Sequence, residues 1–399
     1  MKKQDNRLKL FIKYTDRFIY LGAIVLAIYG TFMIISAEMG ESTADLSVIF
    51  RTSGKQFIYL LFGVGCLFLF STSGIYGKAR KHIWVYYFIV LGMLLSTRLF
   101  DPVGGAYGWI RIGSVSIQPS EFAKPTIILL ASVSFEKDKT NITREFWYFV
   151  GALAAYIVIV FVYQNDFGSA FVIGAIGYIC ILISPNKSIK KKQNIMIFIL
   201  LVVIAIAIFL MTPLGTDILK HFSNHYQIKR FLASADPFSY QYDSGYHLIM
   251  SLVSFASGGI FGTGYGKSIH KFMNFPNPSS DFILPVIIEE MGVLFGLIPI
   301  LTLYGFIMIP LMRHASKNNK TSGKIVIVGT FMYFVIHFVL NVGGVSGLIP
   351  LTGVPLLLVS SGGSSLVACM ASLGFSQCVI EQYRLQEAKK QNENNSREI

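Results

Sequence analysis

Ten long apolar runs constrain this 399-residue chain more than any single motif does. They are Phe18–Ala37, Gln56–Ser71, Ile83–Thr97, Phe122–Phe135, Trp147–Tyr163, Phe167–Ser184, Ile195–Pro213, Phe282–Met312, Ile325–Val342 and Ser364–Tyr383. A bilayer-spanning helix takes about 17–25 predominantly apolar residues. No water satisfies backbone groups in hydrocarbon, so such runs fold as helices that bond internally. The expected fold is therefore an all-α polytopic membrane protein with ten transmembrane helices. Composition agrees: hydrophobic residues make up 53% of the chain and charged residues only 14%. The first run is too long for a signal-peptide core and lacks a small-x-small cleavage site, so it reads as a retained span.

Lys and Arg placement orients the bundle. With the N-terminus inside, the inner segments hold 24 of the 34 basic residues, which is the positive-inside pattern. Both termini are then cytoplasmic. The net charge of +13 follows from topology and lipid headgroups, since no single face collects it as nucleic-acid binding requires. The four cysteines lie in or at the end of apolar runs without CxxC spacing and read as small buried hydrophobes. Residues 1–17 form a basic cytoplasmic N-terminus, 18–383 a ten-span membrane domain, and 384–399 a disordered cytoplasmic tail.

Three outer segments are more than turns. Phe100–Glu121 is Gly-rich, with one Trp and Arg111. Residues 212–281 form an outer loop between spans 7 and 8, far longer than an ordinary connection. Asn341–Ser365 is apolar yet broken by Gly and Pro, which is tolerated at membrane depth only where protein buries the backbone or a wet cavity adjoins it.

Asp281 stands where the long loop enters the eighth span. It reads either as a helix cap or as a catalytic or binding carboxylate, and one group can serve both roles. Glu121 and Lys124, at i and i+3 where the fourth span begins, are either a self-neutralising ion pair or a wall of an outward-facing cavity in which Lys124 meets an anion. Asp166 is a second acid at a span boundary, again suited to capping. His221 and His225 lack a third ligand at readable spacing, so no metal site is expected there. The Gly262–Ser268 stretch imitates a phosphate-binding loop but has Phe261 where the first glycine belongs, and close packing explains its glycines better.

Taken together these segments resemble the SEDS family of cell-wall polymerases, represented by FtsW, RodA and SpoVE, over nearly the whole chain. Gly105-Ala106-Tyr107-Gly108-Trp109-Ile110 through Gln118-Pro119-Ser120-Glu121-Phe122-Ala123-Lys124 resembles the family's GAxRWI…IQPSEFAK. Gln164–Ala170 is similar to its QPDLGTA. Arg230, Asp236-Pro237, Gly245-Tyr246-His247 and Ser257–Gly264 follow its outer-loop pattern. Ser279-Ser280-Asp281-Phe282-Ile283 with Glu289-Glu290-Met291-Gly292 resembles HTDFIF…EELG. Gly347–Pro355 and Ser360–Ser365 resemble its last motif. The departures are Gly108 for Arg, with Arg111 near enough to substitute, Asn165 for Pro, Asn277 for Glu and Ser279 for His. Leu357, Leu358 and Ser361 stand where Pro, Phe and an aromatic are common.

The resemblance implies polymerisation of lipid II into β-1,4-linked glycan outside the cytoplasmic membrane. It makes Asp281 the general base, with Lys124, held by Glu121, orienting Asp281 or meeting the diphosphate. Arg230 and Arg111 are expected at phosphate, and Ser280 and Gln118 as substrate-orienting groups. No cofactor follows from the motifs; a divalent cation enters this reading only with the diphosphate substrate. The implied partners are the nascent glycan strand, a class B penicillin-binding protein that crosslinks it, and other divisome or elongasome membrane proteins. The motifs do not separate division, elongation and sporulation roles, and lean only slightly to the FtsW-like side. A lipid flippase or a non-catalytic scaffold are the rivals. Transport predicts charges at the bilayer midplane and repeats, and a scaffold leaves Asp281 and Lys124 unexplained.

Overall fold

The structure is a computed structural model that describes residues 13–41, 46–113, 115–136, 141–210, 212–221, 226–242, 245–273 and 277–396. Every apolar run read from the sequence lies on helix. In chain order these are α1 (Arg17–Glu41), α2 (Leu46–Phe70), α3 (Ser73–Lys81), α4 (Ile83–Ser96), α5 (Pro119–Ser134), α6 (Ile142–Val158), α7 (Phe167–Ile183) and α8 (Lys190–Leu210). Three short helices follow in the long loop: α9 (Pro213–Lys220), α10 (Tyr226–Ala235) and α11 (Tyr246–Gly258). The chain closes with α12 (Ile283–Gly292), α13 (Ile298–Lys317), α14 (Thr321–Val345) and α15 (Gly363–Asn395). A two-stranded hairpin, Ile110–Ile112 against Val115–Ile117, leads into α5.

Among the described residues, seven helices are long and apolar enough to cross a membrane, and eight if the bent pair Ser73–Lys81 and Ile83–Leu99 counts as one span. Helix length alone thus supports fewer spans than the ten runs suggest. The physical reason lies in α5 and α7, which have 16 and 17 residues. Almost every residue of α5 is buried in the bundle, including Glu121 and Lys124. A helix sheathed by protein is released from the length and apolarity that lipid imposes.

α14 forms the central strut, in contact with α5, α7, α13 and α15, while α15 lies along α2 and α13 along α1. One difference from the sequence reading stands out. The last helix continues through Asn395 into the segment expected to be a disordered tail, as its Gln, Glu, Ala and Lys content favours. The segment around residues 259–264 is anchored to the bundle. Thr263 and Gly264 N–H donate to the carbonyls of Glu289 and Glu290, at 2.9 Å each, and Val293 and Leu294 N–H donate to Gly259 and Ile260 at 3.0 Å. This exchange wedges the loop into the break between α12 and α13. It requires glycine at 262 and 292, where φ is +80° and +68° and a Cβ would meet backbone at 2.2 and 2.4 Å. Gly262 therefore serves close packing, as expected of this stretch.

Candidate active site

Five segments converge on Asp281. It lies in the turn before α12, half-buried, and its backbone carbonyl accepts a 2.9 Å hydrogen bond from Asn341 Nδ2 of α14. The same amide donates to the Val354 carbonyl at 3.0 Å, so one side chain fixes the turn against the 351–355 segment. Gly353, exposed and at φ +70°, adjoins the carboxylate; a Cβ there would sit 3.6 Å from Asp281 Oδ2. Arg230 on α10 donates from Nη1 to the Leu351 carbonyl at 3.3 Å. Burial pushes the Asp281 carboxyl up to about 7, against the opposing pull of the Arg230 charge and a Ser280 hydrogen bond, and the nearby Asp166 charge adds to the rise. A carboxyl poised there is suited to take up a proton at neutral pH.

Asp166 caps α7, accepting from Ser169 N–H at 3.0 Å, and its other oxygen accepts from Gln118 Nε2 at 3.1 Å. Both bonds leave it at the site's edge, since a Cβ on Gly108 would lie 3.8 Å from Asp166 Oδ2. Ile159–Tyr163, shortly before it, form a π-turn, a local widening of the helix common at functional sites. Asn165, in place of the resemblance's proline, has φ +58°, a conformation closed to proline and tolerated by Asn.

Lys124 departs from expectation. It is 1% exposed and lines no open wall. Its ammonium donates to Glu121 Oε1 at 2.5 Å and lies 3.1 Å from His337 Nε2 and 5.4 Å from the Tyr333 ring centroid. Tyr333 Oη donates to Glu121 Oε2 at 3.0 Å. His337 Nδ1 lies 3.0 Å from the Pro355 carbonyl, which accepts but cannot donate. The ring therefore carries its proton on Nδ1 and presents a lone pair at Nε2 to Lys124. Buried charges persist only when paired and hydrogen-bonded, and here both are. Lys124 reaches Asp281 indirectly: it holds His337, His337 holds Pro355, and Asn341 one turn along α14 holds Asp281.

Of the remaining expected residues, Gln118 joins the site through Asp166, and Ser280 through its own bond to Asp281 and the 2.7 Å bond its carbonyl accepts from Ser360 Oγ. Arg111 does not fill the place of the family's arginine. It is exposed on the hairpin, paired in register with Ser116, because the strand turns its side chain to the outside. His225 lies outside the described residues, and His221 Nδ1 is within 2.9 Å of the Asp217 carbonyl one turn earlier. Among the described residues no three His, Cys, Asp or Glu side chains gather in a way that could hold a metal ion.

Sequence reasoning missed His337, Tyr333 and Asn341. Their signal was present: His337 and Asn341 are polar residues at i and i+4 in an apolar helix, and so share one face. It also left Glu289 and Glu290 without a role. Both are 1% exposed. Glu289 accepts from Ser268 Oγ at 2.6 Å and from Ile269 N–H at 2.9 Å, with His270 Nδ1 at 2.8 Å. Glu290 accepts from Lys271 Nζ at 2.7 Å and Ser36 Oγ at 2.6 Å. The two acids fasten residues 268–271 to the bundle.

The chain is similar to the probable peptidoglycan glycosyltransferase FtsW of Bacillus subtilis, 32% identical over 97% of this chain and 95% of that one. It is 29% identical to the stage V sporulation protein E of the same organism, over 90% and 95% of the two chains. Its fold matches a chain of a peptidoglycan synthase complex that coordinates polymerization and crosslinking, with TM-score 0.68 and 21% identity over 93% of this chain and 99% of that one. It also matches the rod shape determining protein RodA of Thermus thermophilus, with TM-score 0.61 and 20% identity over 92% and 97%. Residues 16–384 match the model of the cell cycle proteins FtsW, RodA and SpoVE, and the chain belongs to that family.

Proposed function

We propose that this chain is a peptidoglycan glycosyltransferase that polymerises lipid II into β-1,4-linked glycan on the outer face of the cytoplasmic membrane. The observation that carries the reading is Asp281, a half-buried carboxyl pushed up to about 7 beside Arg230 and an open glycine edge. Asp281 takes the proton from the acceptor GlcNAc 4-hydroxyl as that oxygen attacks the donor anomeric carbon. The bond to the lipid diphosphate breaks in the same displacement, with inversion, and the diphosphate leaves with the electron pair. Arg230, between α10 and the 351–355 segment, meets the departing diphosphate. Lys124 serves as an indirect positioning group, with Glu121 neutralising it. Gln118 and Ser280 set the carboxylates of Asp166 and Asp281. A divalent cation, where one is needed, arrives with the diphosphate.

The names of the relatives support this activity, and the synthase-complex fold supports a crosslinking partner of the class B penicillin-binding type. The proposed topology has ten spans in residues 18–383, both termini cytoplasmic, and the 212–281 loop outside. It counts the short helices α5 and α7 among the spans, α5 buried in the bundle almost throughout and α7 along about half its length.

Purified protein given lipid II in detergent tests the assignment. Asp281→Asn is expected to lower the polymerisation rate by about 10²–10⁴-fold, the usual worth of a positioned general base. Polymerisation at the parent rate would remove Asp281 from the chemistry. Glycan appearing without a second membrane compartment also separates catalysis from lipid transport and from scaffolding.

A further inference from the structure

Away from Asp281, α6, α7 and α8 line an open groove of about 450 Å³. Its α6 wall runs from Phe146 to Ile157, about 16 Å at the helical rise, which is close to the depth of one bilayer leaflet. Gly174 opens the α7 wall: a Cβ there would already touch Ile157 at 3.4 Å. The lining is almost wholly apolar except at one end, where Lys192 enters.

Lys192 is the singular group. Its Nζ is buried, 4.3 Å from the Phe146 ring centroid and 4.9 Å from that of Trp147, and has no hydrogen-bond partner among the described residues. An ammonium has three donors, and ring faces satisfy charge without accepting them in full. Lys187, Lys190 and Lys191 surround the same end and are exposed. The base of α8 is pinned, since Gln193 Nε2 donates to the Ile181 and Ser184 carbonyls at 2.8 and 2.7 Å. Beyond it, residues 197–209 are exposed throughout, so the groove is bounded by a helix with little protein behind it.

We infer that this groove seats one anionic phospholipid, its phosphodiester on the Lys192 ammonium and one acyl chain along α6 as far as Ile157. An acyl chain suits a narrow apolar slot one leaflet deep. A phosphate oxygen supplies the acceptors that Lys192 lacks among the described residues, and the neighbouring lysines select a net negative headgroup. Trp147 and Tyr178 stand where aromatic side chains mark the headgroup level. Under the proposed topology the lipid belongs to the cytoplasmic leaflet, opposite the face that carries Asp281. The site is distinct from the Asp281 site.

Trp147 reports on the site directly. The chain has three Trp, so Trp84→Phe with Trp109→Phe leaves Trp147 as the sole emitter. In nanodiscs of phosphatidylcholine, added phosphatidylglycerol with brominated acyl chains is expected to quench Trp147 with about fivefold preference over brominated phosphatidylcholine, the worth of one lysine near an anionic lipid. Lys192→Gln brings that ratio to near one, while Lys192→Arg and the exposed-neighbour variant Lys190→Gln keep most of it. Gly174→Leu fills the slot and weakens quenching by both lipids. Equal quenching in the parent protein overturns the inference, as does an unchanged preference in Lys192→Gln. A loss of preference in Lys190→Gln as large as in Lys192→Gln also overturns it, because surface charge alone would then explain the selection.

Discussion

Three acids lie within ten residues of one another, and they are held in opposite ways. Glu289 and Glu290 sit inside α12, buried, each tied by several donors from residues 268–271 and Ser36. Asp281 sits in the turn before that helix, half-buried, with its backbone firmly held by Asn341 but its carboxylate next to an exposed glycine. The tied acids lock a loop in place; the loosely held one retains freedom to exchange a proton. Paired buried charges are stable fixtures, and chemistry belongs to the acid whose partners leave it half-satisfied.

The largest effect that separates the two kinds of acid is on stability. Lys271 is fully buried against Glu290, so Lys271→Ala strands a carboxylate and should destabilise the fold by about 3–5 kcal/mol. Asp281→Asn, which removes no comparable partner, should leave the thermal unfolding midpoint in detergent within a few degrees of the parent while lowering polymerisation by about 10²–10⁴-fold. The comparison breaks if Asp281→Asn melts as early as Lys271→Ala, because Asp281 would then be a structural fixture too.

How far this was visible beforehand depends on the distance over which each interaction acts. The apolar runs, Asp281 and the Glu121–Lys124 pair were legible because they rest on local pattern and i,i+3 spacing. That Lys124 faces inward was not, because its deciding neighbours His337 and Tyr333 are more than 200 residues away. The folding of residues 212–281 was hidden for the same reason. Its helices are short, with α9 and α10 at 8 and 10 residues, and the partners that hold the loop, Glu289 and Glu290, lie beyond it in α12. The Asn341 amide was hidden within a segment that read only as broken apolar backbone. Its importance comes from bridging Asp281 and Val354, a contact no linear pattern reveals.

Asn341 sharpens the contrast at intermediate scale, since it acts on the backbone of Asp281 and leaves the carboxylate alone. Asn341→Ala removes both bonds and should lower kcat about tenfold, equivalent to roughly 1.4 kcal/mol, near the worth of one hydrogen bond. KM for lipid II should change little, because substrate contacts stay in place. A fall in KM-dependent rate with kcat intact would reassign Asn341 to substrate binding.

The smallest effect is a displacement along the pH axis. A general base must be ionised, so log kcat should rise with pH up to about 7, where the Asp281 carboxyl releases its proton, and level off above it. Arg230 pulls that carboxyl downward by its positive charge. Arg230→Gln therefore shifts the break to higher pH, so that activity lost at pH 6.5 is partly regained at pH 8. Glu289→Gln, on the tied side of the comparison, should leave the break where it was, since that acid is bonded to Ser268, Ile269 and His270 and makes no contact with Asp281. An unmoved break in Arg230→Gln would mean that Arg230 meets the leaving diphosphate without tuning the base. The two roles separate cleanly here, because loss of a diphosphate contact depresses the plateau at every pH, whereas loss of the tuning charge moves only the break.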